Sequence, residues 1–310
     1  MSLLEVLLLA ASALFAWSMG SHYTGSVMGT AYGAGVLTLR RALGLAAVCV
    51  VIGATAAGLN VIGTYADLIE SAPAEDVAAS QIAASLVTIA STYYRLPVST
   101  IQIYAFSLLG AALAAGLPVR GGLFGLVVLG WAAGPVLSLV LGFVLARAGL
   151  GIARRGRGAL AAFLVVTALY SSFTMGSNDV SNAAASLADA GIFSPRVAAL
   201  WGGVFMALGV VSWGRRLLER IGHEILPLDV PLAATAQFAK AAAISTLNAF
   251  GYNASINQSV VGGLAGVGLA TDRSKLNRGA LRNIALNWIL SPLLGTVSAA
   301  VLDLLLHTLL

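Results

Sequence analysis

Met-Gly-Ser-His-Tyr-Thr-Gly-Ser at residues 19–26 aligns without a gap with Met-Gly-Ser-Asn-Asp-Val-Ser-Asn at residues 175–182, which lies 156 residues later. Two more pairs of segments match at the same offset: 34–40 with 190–196, and 97–102 with 253–258. Because the chain has 310 residues, about twice that offset, the repeat fills it. The pattern predicts two structural units, residues 1–150 and 158–310, whose polar stretches face each other.

The composition places the chain in a membrane. Apolar residues make up 59% of it, charged residues only 9%, and the mean hydropathy is +0.92. Soluble domains carry about 25% charged residues. Stretches such as 42–62 and 159–173 are nearly free of charge, and about 20 apolar residues cross a bilayer as one helix. We therefore predict an all-α integral membrane protein that crosses the cell membrane several times, with the lipid bilayer as its surroundings.

Two other features fit this class. The first apolar segment is flanked by Glu5 rather than by Lys or Arg and runs into the repeated motif, so we expect it to be part of the mature protein. The net charge of +5 indicates topology and not nucleic-acid binding, because the basic residues occupy short loops between apolar segments.

Each half contains five apolar segments. The third and fourth are short and are joined by a tight break, between about 77–94 and 97–116 in the first half and about 228–250 and 253–270 in the second. Each pair forms either two crossings or a re-entrant hairpin, and length alone does not decide between them. The seventh segment is expected to span about 194–218. The predicted fold is two inverted repeats with re-entrant or broken helices at the midplane.

Charge predicts the orientation. Four basic clusters occupy loops: 40–41, 147–157, 215–220 and 273–282. They share the cytoplasmic side if both termini lie outside and the linker between the halves lies inside. The acidic residues Asp67, Glu70, Glu75 and Asp76 then lie outside. An odd number of net crossings per half inverts one repeat relative to the other.

Residues 176–182 carry the strongest chemical signal. They place Asp179 and two amides, Asn178 and Asn182, inside an apolar segment. A carboxylate in hydrocarbon costs at least about 3 kcal/mol, so it must face a cavity or a cation. If the helix unwinds at Gly176, freed carbonyls and the carboxylate form an oxygen cage for Na+. The alternative is a buried polar cluster that only holds helices together.

The breaks between short segments suit an anion. Ser99-Thr100 and Ser255-Ile256-Asn257 each begin a helix after Pro97 or Gly251. Ser, Thr and Asn are preferred caps, and a helix N-terminus carries unpaired N–H groups and partial positive charge. Two such ends meeting from inverted repeats form a site for an oxyanion. Taken singly, each break is also explained by ordinary capping.

These motifs resemble the inorganic phosphate transporter family, which carries a Gly-x-Asn-Asp-x-Ala-Asn signature in each half and Pro-Val-Ser-Thr-Thr in its hairpins. Residues 176–182 match the signature with Ser181 in place of Ala, and residues 96–100 match the hairpin stretch. The resemblance covers essentially the whole chain. It implies a transporter with inverted repeats and hairpins that reach the midplane, which couples cation inflow to anion uptake.

The first copy departs from the signature. His22 and Tyr23 replace its Asn and Asp, and Ser26 replaces its last Asn. The sulfate permeases of the family also lack the first acid, so the chain resembles that branch, and sulfate with proton coupling is the alternative to phosphate. His22 has an ordinary pKa of about 6.5 and is either a proton carrier or a packing residue.

We therefore predict a cation-coupled secondary transporter for a tetrahedral oxyanion, inorganic phosphate or sulfate, driven by Na+ or H+ and without a cofactor. The residues assigned to the anion are Ser21, Ser26, Ser99, Thr100, Ser177, Asn182, Ser255, Asn257 and Gln258. Those assigned to the cation are Asp179, Asn178 and His22, with Asp179 as a Na+ ligand. A homodimer is compatible with the sequence. An anion channel and an intramembrane enzyme are the rivals, and the scattered histidines disfavour the enzyme.

Overall fold

A computed structural model of the chain describes residues 1–58, 72–119, 121–149, 156–249 and 254–309. These residues form eleven α-helices and one short 3₁₀ helix at Arg273–Lys275. The α-helices are α1 (Leu3–Gly33), α2 (Leu39–Ala57), α3 (Ala74–Tyr93), α4 (Thr100–Ala114), α5 (Gly121–Arg147), α6 (Arg157–Asp189), α7 (Pro195–Trp213), α8 (Arg215–His223), α9 (Val230–Ala249), α10 (Ile256–Thr271) and α11 (Arg278–Leu309).

The helix bounds repeat at the offset of the sequence motifs. Subtracting 156 from the bounds of α7, 195 and 213, gives 39 and 57, which are the bounds of α2. The same subtraction converts α9, 230–249, into α3, 74–93. The sequence repeat is therefore also a repeat of local structure over the described residues.

The first helix of each half ends in the same way. Gly35 and Gly191 follow the caps of α1 and α6 with φ angles of 70° and 69°, a left-handed conformation that glycine adopts without a steric penalty. The next amide then reaches back to the helix, from Val36 to Ala31 O and from Ile192 to Leu187 O, both at 3.0 Å. This is the Schellman arrangement, which satisfies carbonyls that would otherwise lack a partner.

Helices of each half pack against helices of the other half. α1 packs on α7 and α6 on α2, while α5 packs on α10 and α11 on α4. Small residues allow the backbones to touch: a Cβ on Gly20 would lie 1.9 Å from Met206 O, and one on Gly176 would lie 2.1 Å from Val50 O. Close approach of this kind is how helices associate in lipid, where no hydrophobic effect drives them together.

Helix length and hydropathy agree with a membrane protein. Five helices are long and apolar enough to cross a bilayer: α1, α2, α6, α7 and α11. α4 and α10 have only 15 and 16 residues. At 1.5 Å per residue they span about 22–24 Å, less than the roughly 30 Å hydrocarbon core. Each follows a 20-residue helix that it also packs against.

Two expectations are corrected by the structure. α6 runs unbroken through Gly176, so no carbonyls are freed there, because that glycine provides close contact with α2 and not flexibility. The seventh segment ends at Trp213 and not near 218, and α8 begins directly after Gly214. The break at 250–253, the acids Asp67 and Glu70, and the linker arginines Arg154 and Arg155 lie outside the described residues.

The contact at Gly176 can be tested with one methyl group. We expect Gly176→Ala to lower the melting temperature of the purified protein, because the new Cβ meets the backbone of Val50 and overpacking costs about 1–3 kcal/mol. Gly44→Ala is the matched control, since nothing lies within 4 Å of its Cβ and alanine favours a helix. Equal melting temperatures for the two variants would contradict the packing argument.

Candidate functional site

The N-termini of α4 and α10 are built alike. Ser99 caps α4 and accepts a hydrogen bond from the Gln102 amide at 3.4 Å, and Ser255 caps α10 and accepts one from the Gln258 amide at 3.4 Å. Both serines are buried. Before α4 the chain reverses at Arg95, whose φ is 57°. Capping leaves further N–H groups at each end without an intrahelical partner.

These two helix ends meet in the protein interior. The Gln102 side-chain amide donates to Gln258 Oε1 at 3.1 Å, and the Gln258 amide donates to Gln102 Oε1 at 2.9 Å. Next to this pair, Asn257 Nδ2 donates to Val98 O at 2.6 Å. The partial positive charges of two helix termini, one from each half, therefore converge on a buried polar region.

α1 is hydrogen-bonded to both ends. The Ser26 hydroxyl donates to Asn257 Oδ1, and the Thr100 hydroxyl donates to Tyr23 Oη at 2.5 Å. Three of the residues predicted for the anion, Ser26, Thr100 and Asn257, thus belong to one network. Tyr23, which occupies the position of the signature acid, is part of it.

The His22 ring contacts residues on both sides of the break between α3 and α4. Its Nε2 accepts from the Val98 amide at 3.1 Å, and its Nδ1 lies 2.7 Å from the hydroxyl of Thr92. That hydroxyl also donates to Thr88 O at 2.8 Å, and His22 Nε2 lies 3.2 Å from Val98 O as well. Both ring nitrogens are engaged in positioning contacts. Proton coupling through His22 stays a prediction.

Asp179 lies on the buried face of α6. Its side chain is 1% exposed, and among the described residues neither carboxylate oxygen has a hydrogen-bond partner. The side-chain oxygen and nitrogen of Asn182, one turn further on, are buried and also lack protein partners. Asn178 is half-buried. A carboxylate and an amide oxygen without partners at this spacing are suited to bind a cation.

The other predicted hydroxyls bond to their own helices. Ser21 donates to Ser18 O at 2.8 Å, and Ser177 donates to Thr174 O at 3.1 Å. Such bonds leave the oxygen lone pairs available but point the hydrogen at the helix. No hydrogen bond of the described residues joins the Asp179 side chain to the network of α1, α4 and α10.

Two buried glutamines were missed by the sequence analysis. Gln81 on α3 donates to the backbone carbonyls of Asn182 and Ala183 at 3.1 and 3.2 Å. Gln237 on α9 donates to Val27 O at 3.2 Å. Both the glutamines and the acceptors Val27 and Ala183 are 156 residues apart, so the offset that revealed the motifs contained this signal too.

Lys240 on α9 is a buried basic residue. Its side chain is 0% exposed, and Nζ donates to Ser26 O at 2.8 Å. It also lines a cavity of about 360 Å³ between α6, α9 and the start of α10. The cavity is further lined by Tyr170, Ser171, Thr174, Ala241, Ile244, Ser245 and Ile256. The Lys240 side chain and the first residue of α10 therefore border the same cavity.

A buried polar site between repeated halves of a membrane protein defines the class of secondary transporters. Comparison with known proteins gives the family. A model of the phosphate transporter family matches residues 19–155 and 149–301, that is, both halves. The chain belongs to the phosphate transporter family, which consists of transporters and not of enzymes.

The relatives differ in how much of their own length this chain matches. A Methanocaldococcus jannaschii protein named among the phosphate permeases is 27% identical over 290 residues, which cover 92% of each chain. The human sodium-dependent phosphate transporter 1 is 30% identical over 150 residues, which cover 44% of this chain and 22% of that protein. A solved structure titled as the sodium-dependent phosphate transporter superposes with a TM-score of 0.88 at 23% identity and covers all of both chains, which establishes the fold.

The comparisons confirm the family resemblance and the prediction of a transporter that is not an enzyme. They do not support the placement near the sulfate permeases, because the relatives are named for phosphate. The degenerate first signature, with Tyr23 in place of the acid, is therefore compatible with membership among the phosphate transporters. The assignments of individual site residues remain predictions.

The reciprocal bond between Gln102 and Gln258 can be tested by a double-mutant cycle. We expect either single change to Leu to lower the melting temperature, because a buried amide left without its partner costs about 1–3 kcal/mol. The double change to Leu is expected to destabilise less than the sum of the single changes. Additive effects would show that the two helix ends do not depend on each other.

Proposed function

We propose that this protein takes up inorganic phosphate together with Na+ by alternating access between two inverted repeats. The observation that carries the proposal is the meeting of the α4 and α10 N-termini, one from each half, in a buried polar region. Membership in the phosphate transporter family and the names of its relatives support the choice of anion and cation.

The anion lies between the two helix ends in this proposal. Backbone N–H groups beyond Ser99 and Ser255 donate hydrogen bonds to its oxygens. Phosphate at neutral pH keeps a proton and also needs an acceptor, which the side-chain carbonyls of Asn257 and Gln258 supply. Sulfate carries no proton and makes no use of such an acceptor.

Asp179 holds the cation in this proposal. Its two free oxygens and Oδ1 of Asn182 are buried oxygen ligands, the type that Na+ prefers, and Asn178 lies beside them. Proton coupling is the alternative, because protonation would also neutralise a buried carboxylate. The sodium-dependent relatives favour Na+.

The two repeats, residues 1–150 and 158–310, exchange roles during the cycle. The mutual packing of α1 on α7 and of α6 on α2 fits a pseudo-twofold relation between them. With both termini outside and the linker in the cytoplasm, the relation is an inversion across the membrane. Rocking of one set of helices then opens the central site to either side in turn.

The proposal is tested with purified protein in proteoliposomes. Counterflow of labelled phosphate and of labelled sulfate is measured with and without Na+, at two external pH values. We expect phosphate uptake that requires Na+ and is not replaced by a proton gradient. Sulfate uptake driven by acid would instead support the sulfate alternative, and movement of neither anion would overturn the proposal.

The role of Asp179 is tested in the same assay. We expect Asp179→Asn to abolish Na+-driven phosphate uptake, because the substitution keeps the shape but removes the charge that holds the cation. The matched control is Asp189→Asn, an exposed acid at the end of the same helix, which should leave uptake unchanged. Full uptake by Asp179→Asn, with its monodisperse elution retained, would remove this carboxylate from the mechanism.

A further inference from the structure

A second group of buried acids lies where α3 begins and α11 ends. Asp76 is in the first turn of α3, and Asp303 and His307 are four residues apart on one face of α11. His307 Nε2 lies 3.1 Å from Asp76 Oδ1 and 3.8 Å from Asp303 Oδ2. One ligand atom from each residue lies within 4.8 Å of the other two.

The carboxylates of this cluster are under-satisfied. Asp76 is 1% exposed and Asp303 is 0% exposed. Oδ2 of Asp76 and both oxygens of Asp303 find no hydrogen-bond partner in the part of the chain that the structure describes. Two buried carboxylates repel each other and lose hydration, and a single imidazole carries at most one positive charge. The cluster is thus short of positive charge and of donors.

We propose that Asp76, Asp303 and His307 bind a divalent transition-metal ion, with Zn2+ as the best fit. Zinc takes nitrogen at about 2.0–2.1 Å and carboxylate oxygen at about 2.0–2.2 Å, so ligands of a tetrahedral site lie about 3.3–3.5 Å apart. The distances from Nε2 of His307, 3.1 and 3.8 Å, lie on either side of this value. A mixed nitrogen and oxygen set of three suits zinc better than Mg2+ or Ca2+, which prefer oxygen ligands.

The site opens to the protein surface at His307. The His307 side chain is 43% exposed, while the two carboxylates lie behind it. A bound metal would link α3, the helix before the break that leads into α4, to α11, the last helix of the second half. The two helices pack against each other along their lengths. Metal binding therefore links the two halves at one end.

The first test measures binding alone. The purified protein is stripped with a chelator and titrated with ZnCl2 in a calorimeter, and the retained zinc is counted after desalting. We expect one Zn2+ per chain, a melting temperature that rises with added zinc, and at least a tenfold loss of affinity in Asp303→Asn and in His307→Ala. His223→Ala, at the end of α8, is the control and should bind as the native protein does.

Two results would overturn the zinc site. One is that the native protein binds no zinc at a 100-fold molar excess of ZnCl2 over protein, at the protein concentration used for the melting curve. The other is equal affinity in native protein and Asp303→Asn, whose shape is conserved. If the native protein binds no zinc and Asp303→Asn is more stable than the native protein, the cluster is instead a pair of acids that share a proton.

A different observation carries a second inference, which rests on the proposed function. Lys240 is wholly buried, and its Nζ donates to the carbonyl of Ser26, the last residue of the first signature copy. That copy has Tyr23 where the second copy has Asp179. The residue equivalent to Lys240 in the first half, 156 positions earlier, is Ala84. The second half therefore carries both the acid and the lysine, and the first half carries neither at the equivalent positions.

We infer that the Lys240 ammonium supplies, next to the bound anion, the positive charge that a second coupling cation would otherwise provide. It is covalently part of the protein, lies against a carbonyl of α1, and borders the cavity that reaches Ile256 at the start of α10. In the described residues it makes no ion pair, so its charge is available to a bound anion. A protein that carries this charge itself needs only the Na+ at Asp179 to accompany phosphate.

The test compares the two lysines of the chain. We expect the native protein to show a Na+ Hill coefficient of about 1, and Lys240→Met to raise the KM for phosphate at least about tenfold. Lys275→Met, at the exposed end of the short 3₁₀ helix, is the matched control and should change neither value. The double variant with Tyr23→Asp and Lys240→Ala restores an acid and removes the lysine, and its Hill coefficient should approach about 2.

The outcomes separate this inference from the proposed function. If the native protein moves no phosphate, the proposed function fails and the role of Lys240 fails with it. If the native protein moves phosphate with Na+ and Lys240→Met keeps the native KM, only the inference about Lys240 is overturned. Unchanged Na+ dependence in the double variant would overturn it as well.

Discussion

Backbone N–H and C=O groups cannot be left without partners in hydrocarbon, and the architecture of this protein depends on that constraint. α4 and α10 begin inside the molecule, where no lipid headgroup or bulk water satisfies their first amides. Ser99 and Ser255 cap one amide each, and a reciprocal pair of glutamines joins the two ends. In the proposed site, the amides that stay uncapped at these two ends bind the anion. Helix capping and the proposed substrate site therefore use the same two helix N-termini.

Aspartate and lysine side chains are buried at three places in the part of the chain that the structure describes. Asp179 lies on α6 without a hydrogen-bond partner among the described residues, Lys240 lies on α9 against a carbonyl of α1, and Asp76 and Asp303 lie together where α3 begins and α11 ends. Each arrangement is costly unless an opposite charge arrives. Sodium at the first, phosphate near the second and a divalent metal at the third would each supply it. These three places are therefore the ones where we propose ligands.

Local chemistry explains which features could be predicted from the sequence. The caps Ser99 and Ser255 follow from residue type and from the break before them, and the repeat in helix bounds follows from the offset. Gly176 was misread because glycine serves both unwinding and close packing, and only the neighbouring helix, through Val50, selects between them. The cluster of Asp76 with Asp303 joins residues far apart in sequence, and no local pattern connects such pairs. The contact of Lys240 with α1 was hidden for the same reason.

The symmetry of the scaffold and the asymmetry of its charges have different physical causes. Backbone contacts such as Gly20 on Met206 and Gly176 on Val50 leave no space for a side chain, so both copies of the contact keep glycine. In the proposed transporter, a site between the two repeats faces both halves at once, so its ligands need each charge only once. Tyr23 opposite Asp179 and Ala84 opposite Lys240 fit that freedom. The glycine contacts therefore occur in both halves, while Asp179 and Lys240 both belong to the second half and have no charged counterpart in the first.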